Sequence, residues 1–114
     1  MEKKHYLKNI DYETVLDLAS LVEYRTGQVV SLTMSQNKYV SLTLFAFDKN
    51  EEISTHSSTG DAMIYILDGS AHVKIGSKTY DLNKGQTIVM PANIPHAVKA
   101  LEKFKMLLIV VFPS

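Results

Sequence analysis

Gly85-Gln86-Thr87-Ile88-Val89-Met90-Pro91-Ala92-Asn93-Ile94-Pro95-His96 is the most informative stretch of the chain. A turn at Asn83-Lys84-Gly85 leads into a short β-rich run, Thr87 to Met90. Two prolines bracket a loop, Pro91 to Pro95, and His96 opens the next run. Proline removes a backbone donor and asparagine tolerates the left-handed turn conformation, so Pro91-Ala92-Asn93 ends a strand for a physical reason. A second stretch has the same build: Asn50-(x)5-His56-x-Ser58-(x)3-Ala62-(x)6-Gly69. Here the histidine lies after the polar run Asp48–Glu52, and the apolar run Ala62 to Leu67 leads into a turn at Gly69.

The flanking sequence carries the same rhythm. In Tyr39 to Phe47, Val40, Leu42, Leu44 and Ala46 alternate with Tyr39, Ser41, Thr43, Phe45 and Phe47. Ala71, Val73 and Ile75 alternate with His72 and Lys74, and Gly76-Ser77-Lys78 links them to Thr79–Leu82 as a tight hairpin. Period-two alternation with frequent turn residues predicts many short strands, and hence a β-sandwich or barrel. Residues 1–25 stand apart as an N-terminal arm, and residues 26–114 form the barrel. In the arm, Asp11 is a candidate cap for a short helix carrying Val15, Leu18, Ala19 and Val22 on one face, although Leu16 and Leu21 spread that face.

Composition narrows the function. The chain has 114 residues, enough for one domain, and 46% of them are hydrophobic, enough for a core. Its formal net charge is zero, so it lacks the broad positive field that attracts nucleic acid. It has no cysteine, which excludes disulfides, thiolate metal sites and cysteine nucleophiles. The charged start Met1-Glu2-Lys3-Lys4-His5 is not followed by an apolar stretch. The longest apolar run, Met106 to Phe112, is far below the roughly 20 residues a spanning helix needs. A cytoplasmic location, with no membrane partner, is the expectation.

The two stretches resemble the paired signature motifs of the cupins. There the first motif reads G-(x)5-H-x-H-(x)3,4-E-(x)6-G and the second G-(x)5-P-x-G-(x)2-H-(x)3-N. Gly69, Gly85, Pro91 and His96 fall in register, and the resemblance spans about Gln28 to Phe112. It implies an all-β fold, the double-stranded β-helix or jelly-roll barrel, with a pocket inside. His56-Ser57-Ser58-Thr59-Gly60-Asp61-Ala62 is similar to a subgroup of small cupins whose first motif reads H-S-A-P-x-D-A, most of them without an assigned activity.

In metal-binding cupins, three first-motif side chains and one second-motif histidine converge on the ion. Transferred position by position, that set becomes His56, Ser58, Ala62 and His96. Only the two imidazoles are ordinary metal ligands, fewer than the three protein groups usual at catalytic zinc or non-haem iron sites. The resemblance therefore implies at most a weakly held divalent transition metal on His56 and His96. Ile64 and Ile66 share the face of Ala62 and are expected to line the pocket with it. Asp61 is the nearest carboxylate, but strand parity turns it away from Ala62; it is either a turn residue bonding backbone amides or a replacement ligand. Parity also turns His72 outward, and His5 is expected to be solvated.

Three functional readings stay open. The first is a module binding a small organic molecule near His56 and His96. The second is a weakly metal-binding enzyme of the oxygenase or isomerase kind, and the third a sensor acting through a partner protein. Met63, Tyr65 and Leu67 make the outer face of their strand apolar, so the arm or a second subunit must cover it; a homodimer is the preferred expectation. Lys103 and Lys105 are candidate charged gatekeepers beside the apolar run, or simply solvated.

Overall fold

A computed structural model describes residues 5–113. Nine strands follow a single 3-10 turn: β1 Val29–Gln36, β2 Val40–Phe47, β3 Glu52–His56, β4 Asp61–Asp68, β5 Ser70–Ile75, β6 Lys78–Asn83, β7 Thr87–Met90, β8 His96–Lys99 and β9 Phe104–Val111. They form a five-stranded sheet in the order β1-β2-β9-β4-β7 and a four-stranded sheet in the order β3-β8-β5-β6. Every pairing is antiparallel. Consecutive strands repeatedly change sheet, as in the jelly roll that the motifs imply.

Alternation in sequence becomes alternation in space. Along β4, Ala62, Ile64 and Ile66 are buried between the sheets, while Asp61, Met63 and Tyr65 point outward. The inner core includes Phe47, Val73, Val98 and Phe104, and the Phe47 and Phe104 rings stack with centroids 4.5 Å apart. Each of these two fully buried phenylalanines contributes roughly 1.5–3 kcal/mol through removal from water. The predicted turns also hold. Asn50 and Asn93 replace motif glycines and adopt positive φ of 71° and 64°. Asparagine is among the few side-chain-bearing residues that visit this region readily.

The arm differs from the helix considered for it. Its described part contains only the 3-10 turn Leu18–Leu21, and Asp17, not Asp11, accepts from the Ala19 amide as the cap. Val15 is fully exposed. The reason lies in docking: Ile10, Leu18, Leu21, Val22 and Tyr24 pack on Met34, Leu44, Ala46 and Leu67, on the outer face of the five-stranded sheet. A helix would present one stripe, whereas this arm spreads its apolar residues over a flat sheet. Lys8 N donates to Met34 O, and Asn9 Nδ2 donates to Thr33 O, each at 2.8 Å. The arm thereby satisfies part of the exposed edge of β1.

Tyr24 fixes the arm. Its hydroxyl donates to Asp68 Oδ2 at 2.5 Å, and the ammonium groups of Lys103 and Lys105 lie 4.9 Å and 5.0 Å from its ring centroid. Lys105 Nζ also donates to Ala19 O. Of the two covers considered for the apolar face of β4, the arm takes the end at Leu67, while Met63 and Tyr65 remain 36% and 41% exposed.

Candidate functional site

β3 and β8 are neighbours, and their register places His56 directly opposite His96. The pairing shifts between Ile53 and His56, a bulge-type irregularity just before His56. His96 is buried, 3% exposed, whereas His56 stands at the surface end of the same pocket. Their Nε2 atoms lie 3.1 Å apart.

The other nitrogen of each ring fixes its tautomer. His56 Nδ1 lies 2.9 Å from Ser54 O, and His96 Nδ1 lies 3.1 Å from Ile94 O. A carbonyl only accepts, so each Nδ1 carries the proton and each neutral ring presents a bare Nε2. Two such lone pairs at this separation repel unless a cation, either a proton or a metal ion, engages them. Burial holds His96 below the usual imidazole range, with the Ile94 carbonyl opposing the shift and His56 adding to it.

The pair faces a cavity of about 60 Å³ that also touches Ser58, Ala62, Met90 and Met106, with aliphatic walls from β8 and β9. Among the described residues, no acidic or basic side chain besides the two histidines lines it. Ser58 Oγ accepts from the Gly60 amide at 3.1 Å, the local backbone role considered for it, and Ser58 O accepts from the Asn93 amide at 2.7 Å. The lining is narrower than expected: Ile64 and Ile66 share the face of Ala62 but are packed deeper in the core, outside the cavity wall. Parity fixes a face, not a depth.

Asp61 points outward, and its Oδ1 accepts from the Ala92 amide at 2.8 Å. It tethers the Pro91–Pro95 loop and lies outside the cavity lining, as a residue bonding backbone amides would. His72 also faces outward and places Nδ1 2.7 Å from Asp81 Oδ1. His5 stacks on Tyr12 with centroids 4.3 Å apart. Among the described residues, no group of three or more His, Cys, Asp or Glu side chains converges in a way that would hold a metal. The sequence reading missed Met90 and Met106. Met90 shares inward parity with Ile88 across the four-residue strand β7, and that was the available signal.

A histidine from each motif at the mouth of one double-sheet barrel is the arrangement the motifs require, and the sequence matches the cupin domain family over residues 43–112. The chain belongs to the cupin domain family. This cupin is 47% identical to a conserved protein of unknown function from Streptococcus pyogenes. The match covers 99% of each chain, with a TM-score of 0.97. It is 36% identical to a cupin superfamily protein from Desulfitobacterium hafniense, over 94% of this chain and 98% of that one, with a TM-score of 0.90. It is also similar to a cupin 2 conserved barrel domain protein from Leptotrichia buccalis, at 40% identity over 84% of this cupin and 47% of that chain, with a TM-score of 0.82. No curated protein matches it significantly. No helix among the described residues of this cupin is long and apolar enough to cross a membrane.

Proposed function

We propose that this cupin binds one transition-metal ion at His56 and His96, weakly, with water or a small ligand completing the ion's shell. The supporting observation is the pair of tautomers fixed by Ser54 O and Ile94 O, which turns both Nε2 lone pairs toward each other at 3.1 Å. Carbonyl partners on the far nitrogen are the usual support for metal-ligating histidines. With metal–nitrogen bonds of about 2.0–2.1 Å, two nitrogens on one ion lie roughly 2.9–3.4 Å apart for octahedral to tetrahedral angles. The observed spacing falls within that range. The remaining motif positions, Ser58 and Ala62, supply a hydroxyl and a methyl, so the donor set fits a weak site and not a closed cage. A bound ion would supply Lewis acidity toward a small ligand in the pocket.

Cavity size favours this reading over capture of a free organic molecule. Sites for drug-sized ligands occupy about 300–1,000 Å³. About 60 Å³ corresponds to roughly two waters. The apolar wall still favours a small organic group as the ion's partner. The test is metal quantification on protein purified without an affinity tag, then on His56→Ala and His96→Ala. Metal that loads saturably and is lost in both variants is the expected result. Protein that stays empty after incubation with Fe, Mn, Ni and Zn, yet gains thermal stability from a sugar, phenol or keto acid, would support the organic-ligand reading instead.

We propose further that the protein is a homodimer through the outer face of β4, β7 and β9. Met63, Tyr65, Val89 and Val111 are exposed there, 36–56%, beyond the arm's reach. An exposed apolar patch of this kind is complementary to itself about a two-fold axis. Light scattering should report a dimer that Tyr65→Lys converts to monomer; a monomeric parent protein would refute it.

A further inference from the structure

We infer that the His56–His96 pocket is suited to a soft monovalent ion, copper(I), with the thioethers of Met90 and Met106 completing the imidazole pair. This rests on reading the pocket as a metal site and narrows that reading to an ion and two further ligands. Buried methionine is common as a core gap-filler. These two differ in sharing one small cavity with two convergent imidazole nitrogens. Met90 is 2% exposed and Met106 1%. Met90 is the register partner of Ala62 on β4, the position where the family resemblance calls for a carboxylate. The methyl of Ala62 supplies no donor at that corner, and a thioether lies on the next strand.

Two independent considerations favour a soft, singly charged ion. The first is donor chemistry. The side-chain heteroatoms of the lining are two imidazole nitrogen pairs, one hydroxyl and two thioether sulfurs, without a carboxylate. Thioether ligands select copper(I), whereas carboxylates suit harder ions. The second is charge. The cost of moving an ion from water into an apolar setting scales with the square of its charge, so a divalent ion costs about four times as much as a monovalent one of equal size. In this cavity all the candidate ligands are neutral, and no anionic side chain offsets a second charge.

The test is anaerobic competition for copper(I) between the full chain and a chromogenic copper(I) chelator, beside a zinc(II) titration. Met90→Leu and Met106→Leu conserve volume, and Met63→Leu, on the outer face, is the control. We expect one copper(I) per chain, an affinity loss of about tenfold or more in at least one of the two pocket variants, and little change in zinc(II) binding. X-ray absorption on the unmodified protein should show sulfur beside nitrogen in the copper(I) shell, a readout independent of variant folding. Copper(I) bound through histidines alone, with both leucine variants unchanged and no sulfur in the shell, overturns this inference and leaves the metal site standing. Failure to bind either copper(I) or zinc(II) overturns both.

Discussion

His56 and His96 are 40 residues apart in sequence, yet their Nε2 atoms lie 3.1 Å apart, with ring planes inclined at 70°. The two rings are not equivalent. His96 is buried and bonded to Ile94 O, whereas His56 is exposed and bonded to Ser54 O, a neighbour on its own strand. His96→Ala leaves a void and a carbonyl without its donor, and should cost about 1–3 kcal/mol in urea unfolding. His56→Ala removes an exposed ring and should stay within about 0.5 kcal/mol. Equal losses would contradict this asymmetry, whatever either variant does to ligand binding.

Gly69 closes the first motif and Gly85 opens the second, and the two face different constraints. Both have positive φ, 71° and 87°. A Cβ on Gly69 would collide with the Lys103 carbonyl oxygen and the Phe104 backbone, whereas one on Gly85 meets nothing within 4 Å. Gly85→Ala should therefore show only the left-handed backbone cost of about 1–2 kcal/mol. Gly69→Ala adds a backbone clash between the β4–β5 turn and the start of β9, and should lose about 3 kcal/mol or more. Chemical denaturation of the two variants side by side measures the difference. Similar losses would mean that the β4–β5 turn yields easily.

The sequence made the two motif stretches legible because their signals are local: Gly69, Gly85, Asn50 and Asn93 each take the positive φ that their turns demand. Strand parity correctly placed Asp61, Met63, Tyr65 and His72 outside the inner core. Three things were not local. The arm takes its shape from the sheet beneath it, so its own periodicity suggested a helix that the docked chain does not form. Ile64 and Ile66 share a face with Ala62, but cavity depth depends on how the two sheets close over them. Met90 and Met106 resemble any other apolar strand residues until the barrel brings them to one cavity with the histidines.

Tyr24 couples the arm to the barrel and should confer a pH dependence. Burial, then the hydrogen bond to Asp68 and its negative charge, hold the phenol above its usual range. The folded pKa is raised, so the associated stability is fully present below the unfolded phenol value of about 10 and is lost as pH rises past it. The unmodified protein should therefore lose stability above roughly pH 10, and Tyr24→Phe should lose less over that interval. At neutral pH, Tyr24→Phe should cost about 1–2 kcal/mol for the missing bond to Asp68. Hydrogen exchange locates the effect: protection should fall at Ala19–Tyr24 before it falls in β4 or β9. A uniform loss would show that arm and barrel unfold as one unit.

Asp61 separates a ligand from a tether. Its Oδ1 accepts from the Ala92 amide, and the Asn93 amide donates to Ser58 O, so one bond from the start of β4 and one from the loop after His56 hold the loop before His96. What the tether needs from residue 61 is an acceptor oxygen, not a charge. Asn supplies that oxygen and Ala does not. Asp61→Asn should therefore stay within about 0.5 kcal/mol of the unmodified protein, whereas Asp61→Ala should lose roughly 1–2 kcal/mol and loosen the Pro91–Pro95 loop. Metal affinity should follow the same order, because the loop carries the Ile94 carbonyl that orients the His96 ring. A carboxylate ligand would instead make both substitutions equally damaging to metal binding while sparing stability in the Asn variant. Measuring stability and affinity on the same two proteins distinguishes the roles.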